Sequence, residues 1–338
     1  MSARRLFLDR GPGEDRGVVT VDGRPERLLI ERAGADPQPR FGARYRVRID
    51  EMGGPLGLAF VDLGEGVGGV MRLKSGGPPR GAVLQAKVTA EARADKAAVL
   101  KLIGPADGRP GLLEQAPRLE QRLRDFAPGA EITVGAAARE AADDAQDAAL
   151  AVRHALGDGL SLTVEPTRAL VSVDVDLSPG ATRSRPVVAN LEAIRHSARL
   201  LRLKALGGTV VIDLVGGGRD EPRLLQEART AFQPDQPGVV ILPVSRLGLL
   251  QVARPHRERP VAEVLCDGDG RLSARSVAQR LIRALEREGH ASPGALLEAA
   301  CAADVAAELG PLIAGLGPRY SVTAALGWDR LKTDIRQR

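Results

Sequence analysis

The 338-residue sequence predicts a multidomain chain of mixed α+β and α/β class, on three observations. Residues 36–104 break into five short runs of alternating apolar and polar character, separated by Gly and Pro. Residues 159–253 follow a strand, strand, helix, strand, helix, strand, strand rhythm, and the tail from 271 mixes amphipathic helices with a strand. Period-two alternation marks a strand with one buried face, whereas strands interleaved with helices build an α/β layer. With 43% hydrophobic residues, the chain has material for more than one core.

Near the N-terminus, RRLFLD, GVVTV and ERLLIER read as three strands. The runs YRVRID, LGLAFVDL, GGVMRL, AVLQAKVTA and AAVLKLIG read as five strands of a small antiparallel barrel, a number and length that suggest an OB-type fold. LLEQAPRLEQRLRDF then reads as a helix and AEITVGA as a strand, so the barrel is expected to be an insertion in another domain. The alanine-rich stretch 136–156 is expected to be a helical scaffold without chemistry. In the tail, LSARSVAQRLIRALERE predicts a long amphipathic helix, LLEAACAADVAAELG a second one, and YSVTAAL a strand, together a small α+β module. There are no convincing internal repeats.

Lys and Arg total 48 against 43 Asp and Glu, giving +5 and a pI near 9.6. Such an excess permits nucleic-acid binding without requiring it. Cys266 and Cys301 lack the dense pairing of a disulfide framework or a metal knuckle and suit a reducing compartment. The start, MSARRLFLDRGPGEDR, meets charge and glycine before any apolar stretch reaches signal-peptide length, and no run of 18 apolar residues occurs. The expectation is a soluble, cytoplasmic protein.

The chemistry concentrates in RALVSVDVD. Residues two apart on a strand project to one side, so Asp174 and Asp176 share a face, and paired carboxylates are costly without a cation. The following helix, VVANLEAIRHSARLLRLKAL, places Val188, Leu191, Ile194, Ala198 and Leu201 on one face, and Gly207-Gly208 end it before the strand TVVIDLV. A βαβ unit of this kind brings both strands to the same edge, so Asp213 joins Asp174 and Asp176 where open α/β sheets form ligand crevices. An all-oxygen cluster suits magnesium, with manganese as the alternative ion. The competing reading, in which Asp at strand ends caps turns and helices, stays open at this point.

The run EPTRALVSVDVDLSPGATR, then NLEA, LRLKALGGTVVIDLV and SRLGLLQVAR, resembles the catalytic region of the ribonuclease E/G family in order and spacing. Upstream, GLAFVDLGEGVGGVMRL resembles that family's inserted RNA-binding barrel. The resemblance implies a split ribonuclease H-like domain (1–35 and 105–158) interrupted by the OB-fold barrel (36–104). Beyond these it implies a DNase I-like catalytic domain (159–256), a linker (257–270) and a small C-terminal domain (271–338). It implies magnesium ligation by Asp174 and Asp213, with Asp176 assisting, and RNA contacts from Phe60 and Lys96. An aromatic face stacks an unpaired base and a lysine neutralises a phosphate.

The sequence departs from the family pattern in several places. Asp176 stands where the family has Asn, Gly216 where it has a further Asp, and Val70 where it has a second stacking aromatic. The segment that senses a 5′ monophosphate is missing after Ile103, so that sensing is expected to be lost. EVLCDGDGR supplies only Cys266 where a zinc link needs two cysteines, so zinc is not expected, and a homodimer would need another contact.

Arg183 and Arg185 in the loop after the acidic strand are expected to contact RNA phosphates, as is Arg246 in SRLGLL, while Arg254 is expected to support the site. Arg195, Arg199 and Arg202 read as a solvated helical face, and His196 takes no catalytic role. The resulting expectation is a metal-dependent endoribonuclease acting on single-stranded RNA. The first alternative is a relative that binds RNA without cutting it, as a ribosome-associated or regulatory factor; the second is action on DNA or another phosphodiester.

Overall fold

The computed structural model describes residues 3–34, 39–53, 57–73, 77–94, 96–178, 186–217 and 220–338. Two hairpins join β1 (Arg4–Gly11), β2 (Glu14–Val21) and β3 (Arg24–Arg32) into an antiparallel sheet. The chain then leaves this sheet for β4 (Arg44–Gly53), β5 (Leu58–Asp62), β6 (Gly68–Arg72), β7 (Val83–Ala90), β8 (Ala98–Pro105) and β9 (Gly111–Glu114). Strand β4 pairs with both β5 and β7, while β8 closes the ring through antiparallel β7 and parallel β6. The result is a closed five-stranded barrel filled by Val47, Ile49, Val61, Met71, Leu84, Val88 and Leu100, the inward members of each alternating run. Strand β9 lies along β4, beyond position 104. Its Leu112–Glu114 begins the stretch that reads as helix from sequence, but the helix starts only at Leu119.

After the barrel come α1 (Leu119–Phe126) and the two-residue β10 (Ile132–Thr133), which pairs parallel with β1 and so returns to the first sheet. Helix α2 (Ala136–Leu150) lays Ala138, Ala142, Ala145 and Ala149 into the main core, where small side chains allow close approach to that sheet. It is shorter than the expected 136–156. The next residues form edge strand β11 (Arg153–Gly157), because their backbone groups bond to β12 (Leu160–Pro166).

Next are β13 (Val171–Leu177), α3 (Pro186–Leu203), β14 (Gly208–Asp213), α4 (Glu221–Phe232), β15 (Val240–Ile241) and β16 (Leu249–Arg254). They complete a six-stranded sheet in the order β11-β12-β13-β14-β16-β15, in which only β13 and β14 run parallel. Helix α3 buries Leu191, Ile194, Ala198 and Leu201 as expected, whereas Val188 in its first turn is exposed. The expected solvated arginine face is overturned at Arg202. This residue is buried and paired with Glu26 at 2.6 Å and Asp235 at 2.8 Å, and Arg199 reaches the Pro25 carbonyl.

The tail holds α5 (Val261–Leu265), α6 (Ala274–Ala291), β17 (Leu297–Cys301), α7 (Ala303–Ala314), β18 (Tyr320–Ala324) and β19 (Thr333–Gln337). The helix expected through LLEAACAADVAAELG is a helix only from Ala303. Leu297–Cys301 is the central strand of a three-stranded sheet, with Leu297, Ala299 and Cys301 buried beside α6 and α7. Buried ion pairs tie α6 to the first sheet. Arg283 donates to Asp9 at 2.9 Å and Glu14 at 3.0 Å, while Arg16 and Arg32 add pairs to the same two carboxylates. Among the described residues, no helix is long and apolar enough to cross a membrane.

Candidate active site

In β13 the odd positions Val171, Val173 and Val175 are buried and the even ones, Asp174 and Asp176, face outward. In β14, Val210 and Ile212 are buried and Asp213 faces outward. The parallel register pairs Val173 with Ile212 and Asp174 with Asp213, so both aspartates leave the same face side by side. Neighbouring strands lie about 4.8 Å apart, close enough for the two charges to repel strongly. Burial and then the charges of Asp176 and Asp213 push the Asp174 carboxyl above its ordinary value. Asp176 lies two residues beyond the last paired position and is engaged by Arg153 of β11 at 3.8 Å. Among the described residues, no three acidic, His or Cys side chains close into a metal-holding group, so the site offers a carboxylate pair with a neighbour.

The turn after Asp213 is fixed by Asn190 of α3, which is 1% exposed. Its side-chain amide donates to the Val215 carbonyl at 2.9 Å and its carbonyl oxygen accepts from the Val215 N–H at 3.0 Å. This two-point clamp holds the backbone beyond the second aspartate, and the sequence signals it only as an Asn inside an otherwise apolar helix stripe. Next to it Gly216 takes φ of +71°, a left-handed conformation that Gly adopts freely and Asp or Asn tolerate best among other residues. The position thus accommodates the family's Asp in backbone terms but supplies no carboxylate.

Arg246 is exposed in the turn leading into β16, whose Leu249 pairs with Asp213, which puts it on the same sheet edge as the aspartates. Arg183 and Arg185 lie outside the described residues. Arg254 is at the opposite end of the sheet, paired in register with Gly208. It is buried against Asp235 at 2.8 Å and the Leu206 carbonyl, and so has a structural role away from the acidic edge.

On the barrel, Phe60 is 46% exposed on the outer face and sits opposite Val70 on β6. An outward Phe is the arrangement base stacking needs, whereas a core Phe would point inward. Lys96 is exposed in a tight turn bridged to Arg93. The structure does not bring it to the acidic edge. Burial, then Arg93 and Lys96, lower the His256 imidazole to about 4, and His256 packs on Gly207 and Gly208 at the start of β14. That end is five residues, roughly 16 Å, from Asp213. The barrel is anchored there by Glu91, whose carboxylate accepts the Arg259 N–H at 3.0 Å, and by the Ala94 N–H donating to Glu263 at 2.7 Å.

A model of the Ribonuclease E/G family matches residues 116–257, the stretch that contains the aspartate pair and the sheet carrying it. Ribonuclease E of Haemophilus influenzae is 32% identical over 147 residues, covering 39% of this chain and 16% of that protein. A chloroplastic Ribonuclease E/G-like protein of Arabidopsis thaliana is 31% identical over 140 residues, covering 37% and 14%. Ribonuclease G of Haemophilus influenzae is 28% identical over 161 residues, covering 44% and 33%. The matched region thus spans a third or less of the length of these relatives. Over residues 116–257, this chain is therefore similar to the ribonuclease E/G family.

Proposed function

We propose that the chain is an endoribonuclease that hydrolyses single-stranded RNA at the edge formed by Asp174 and Asp213. The observation that carries this reading is their register: two outward carboxylates on adjacent parallel strands, at the carboxyl end of the βαβ unit. The donor set fits magnesium, which needs only one or two carboxylates and keeps several waters, and manganese shares its preference for oxygen. When bound, such an ion lowers the pKa of a coordinated water and neutralises charge on the phosphodiester. Asp174 and Asp213 would hold it, and Asp176 would add charge partly taken up by Arg153.

Arg246 offers a guanidinium to the phosphate backbone from the same edge, and Phe60 offers a stacking face to an unpaired base. Water is the nucleophile, and by family resemblance the products carry a 5′ phosphate and a 3′ hydroxyl. The barrel order, with its single parallel pair β6–β8, supports an OB-type assignment. We assign the sheet of β1–β3 and β10 to a ribonuclease H-like unit interrupted by that barrel, and the six-stranded sheet to a DNase I-like unit. With Cys266 and Cys301 both unpaired, we place the activity in the cytoplasm.

The test is cleavage of an unstructured RNA with magnesium and with chelator by wild type, Asp174→Asn and Asp213→Asn. Each substitution should reduce the rate about 10²-fold or more; activity untouched by both would sink the mechanism. Gly216 and Val70 favour a second reading, an RNA-binding protein that does not cut. Tight RNA binding by clean wild-type protein without cleavage would select it.

A further inference from the structure

Away from the acidic edge, a cavity of about 280 Å³ opens where all four parts of the chain meet. Strand β3 contributes Arg27 and Arg32, the barrel Glu91, α3 Arg202, the segment before α5 Glu258 and Arg259, and α6 Arg275. Seven arginines and two glutamates line it in all.

Four of those arginines have carboxylate partners. Arg32 pairs with Glu14, Arg40 with Glu31, Arg122 with Glu258, and Arg202 with Glu26 and Asp235. The other three form no ion pair among the described residues, although the charges of Glu258 and Asp235 act on Arg27. Arg259 donates its side-chain Nε–H to the Ala92 carbonyl, and Arg275 donates to the Ala33 carbonyl. Arg27 is 7% exposed, and its guanidinium lies 4.4 Å from the centroid of the Phe126 ring. It has no hydrogen bond or ion pair among the described residues. A guanidinium carries five N–H donors, and those of Arg27, without a protein acceptor among the described residues, are free to take the oxygens of a ligand. Burial lowers Arg27 to about 10, which still leaves it charged at neutral pH. Glu91 does not compensate this charge, because its two oxygens are taken by the backbone N–H groups of Phe41 and Arg259.

We propose that this cavity is a binding site for a small phosphorylated anion, held by Arg27, Arg259 and Arg275. A phosphate has the size, charge and clustered acceptor oxygens that a convergent set of guanidinium forks recognises. The volume admits a phosphate, a diphosphate or a mononucleotide and excludes a folded RNA. Because the first sheet, the barrel, the central sheet and α6 all contribute to the wall, the ligand would staple them together and raise the stability of the whole chain.

The experiment uses the full chain with inorganic phosphate, pyrophosphate and AMP as probes, against sodium chloride at matched ionic strength. Calorimetry and thermal unfolding are read for wild type, Arg27→Met, Arg259→Gln and Arg275→Gln. The expected result is saturable binding of one anion per chain, a Tm that rises with probe and not with chloride, and affinity about tenfold weaker in each variant. The two glutamine variants, at partly exposed positions, keep the test valid if Arg27→Met does not fold. Preference for AMP over both inorganic probes identifies a nucleotide, and equal binding identifies the phosphoryl group alone. No saturable binding of any probe at millimolar concentration, a chloride effect equal to that of the probes, or binding unchanged in all folded variants would overturn the proposal.

Discussion

Asp174 and Asp213 share an edge with Asp176, yet the three carboxylates have different surroundings. Asp176 stands beyond the β13–β14 register, paired instead with Ser161 of β12, and is engaged by Arg153, and the family pattern has no charge at its position. Asp176→Asn should therefore keep cleavage within about threefold of wild type, against the roughly 10²-fold losses expected at the other two aspartates. Single-turnover rates across a magnesium titration would show this, and an Asp176→Asn enzyme as inactive as Asp213→Asn would contradict the assignment of roles. At the other end of β14, His256 titrates near 4 and so does His154, each lowered first by burial and then by nearby cations. Both values lie below the ordinary imidazole range, so between about 6.5 and 4 the unfolded chain binds protons that the folded chain refuses. Stability should fall as pH falls through that window. Urea midpoints at pH 7.5 and pH 4.5 measure the slope, and His256→Gln should flatten it. The outward aspartates were legible in the sequence because strand alternation alone decides which way they face. Asn190 and Asp235 were not legible as anchors, because their partners Val215, Arg202 and Arg254 become visible only once the sheet and helices are packed.

Helix α3 joins the two aspartate strands and also fixes the turn beyond the second. Asn190→Ala would strand the Val215 N–H and carbonyl, so it should cost about 1–3 kcal/mol in chemical denaturation and lower cleavage by loosening the backbone next to Asp213. Loss of stability with an unchanged rate per folded molecule would separate the clamp from the site. Gly208 opens β14 at φ of +93°, and a Cβ there would come within 2.9 Å of His256 Nε2. Gly208→Ala should therefore destabilise by more than about 1 kcal/mol, through backbone strain and contact together. The barrel strands were legible because each alternates cleanly between Gly and Pro punctuation. Strands β9 and β17 were not, since GLLE and LEAAC are rich in helix-forming Leu, Ala and Glu. Pairing with β4 in one case, and with β18 and β19 in the other, outweighs that local preference.

At the scale of the whole molecule, the first sheet and the C-terminal helix are held by charges that neither could bury alone. Arg283, Asp9 and Glu14 are each nearly inaccessible, and Arg283 meets both carboxylates. Arg283→Met would leave two buried carboxylates short of a partner and should cost on the order of 3–5 kcal/mol. If the ends are coupled as the structure indicates, wild type unfolds in one step by near-UV circular dichroism and fluorescence alike, and the variant separates into two. No local pattern discloses this joint, because 274 residues separate Asp9 from Arg283.

The same geometry imposes an order on synthesis. Strand β1 is made first, but its partner β10 emerges only after residue 131 and its guanidinium partner on α6 only after residue 282. The barrel, whose ring closes within 44–105, is complete shortly before β10 and long before α6. A nascent chain therefore presents a finished barrel to the cell while Asp9 and Glu14 of its earliest hairpin still wait for Arg283.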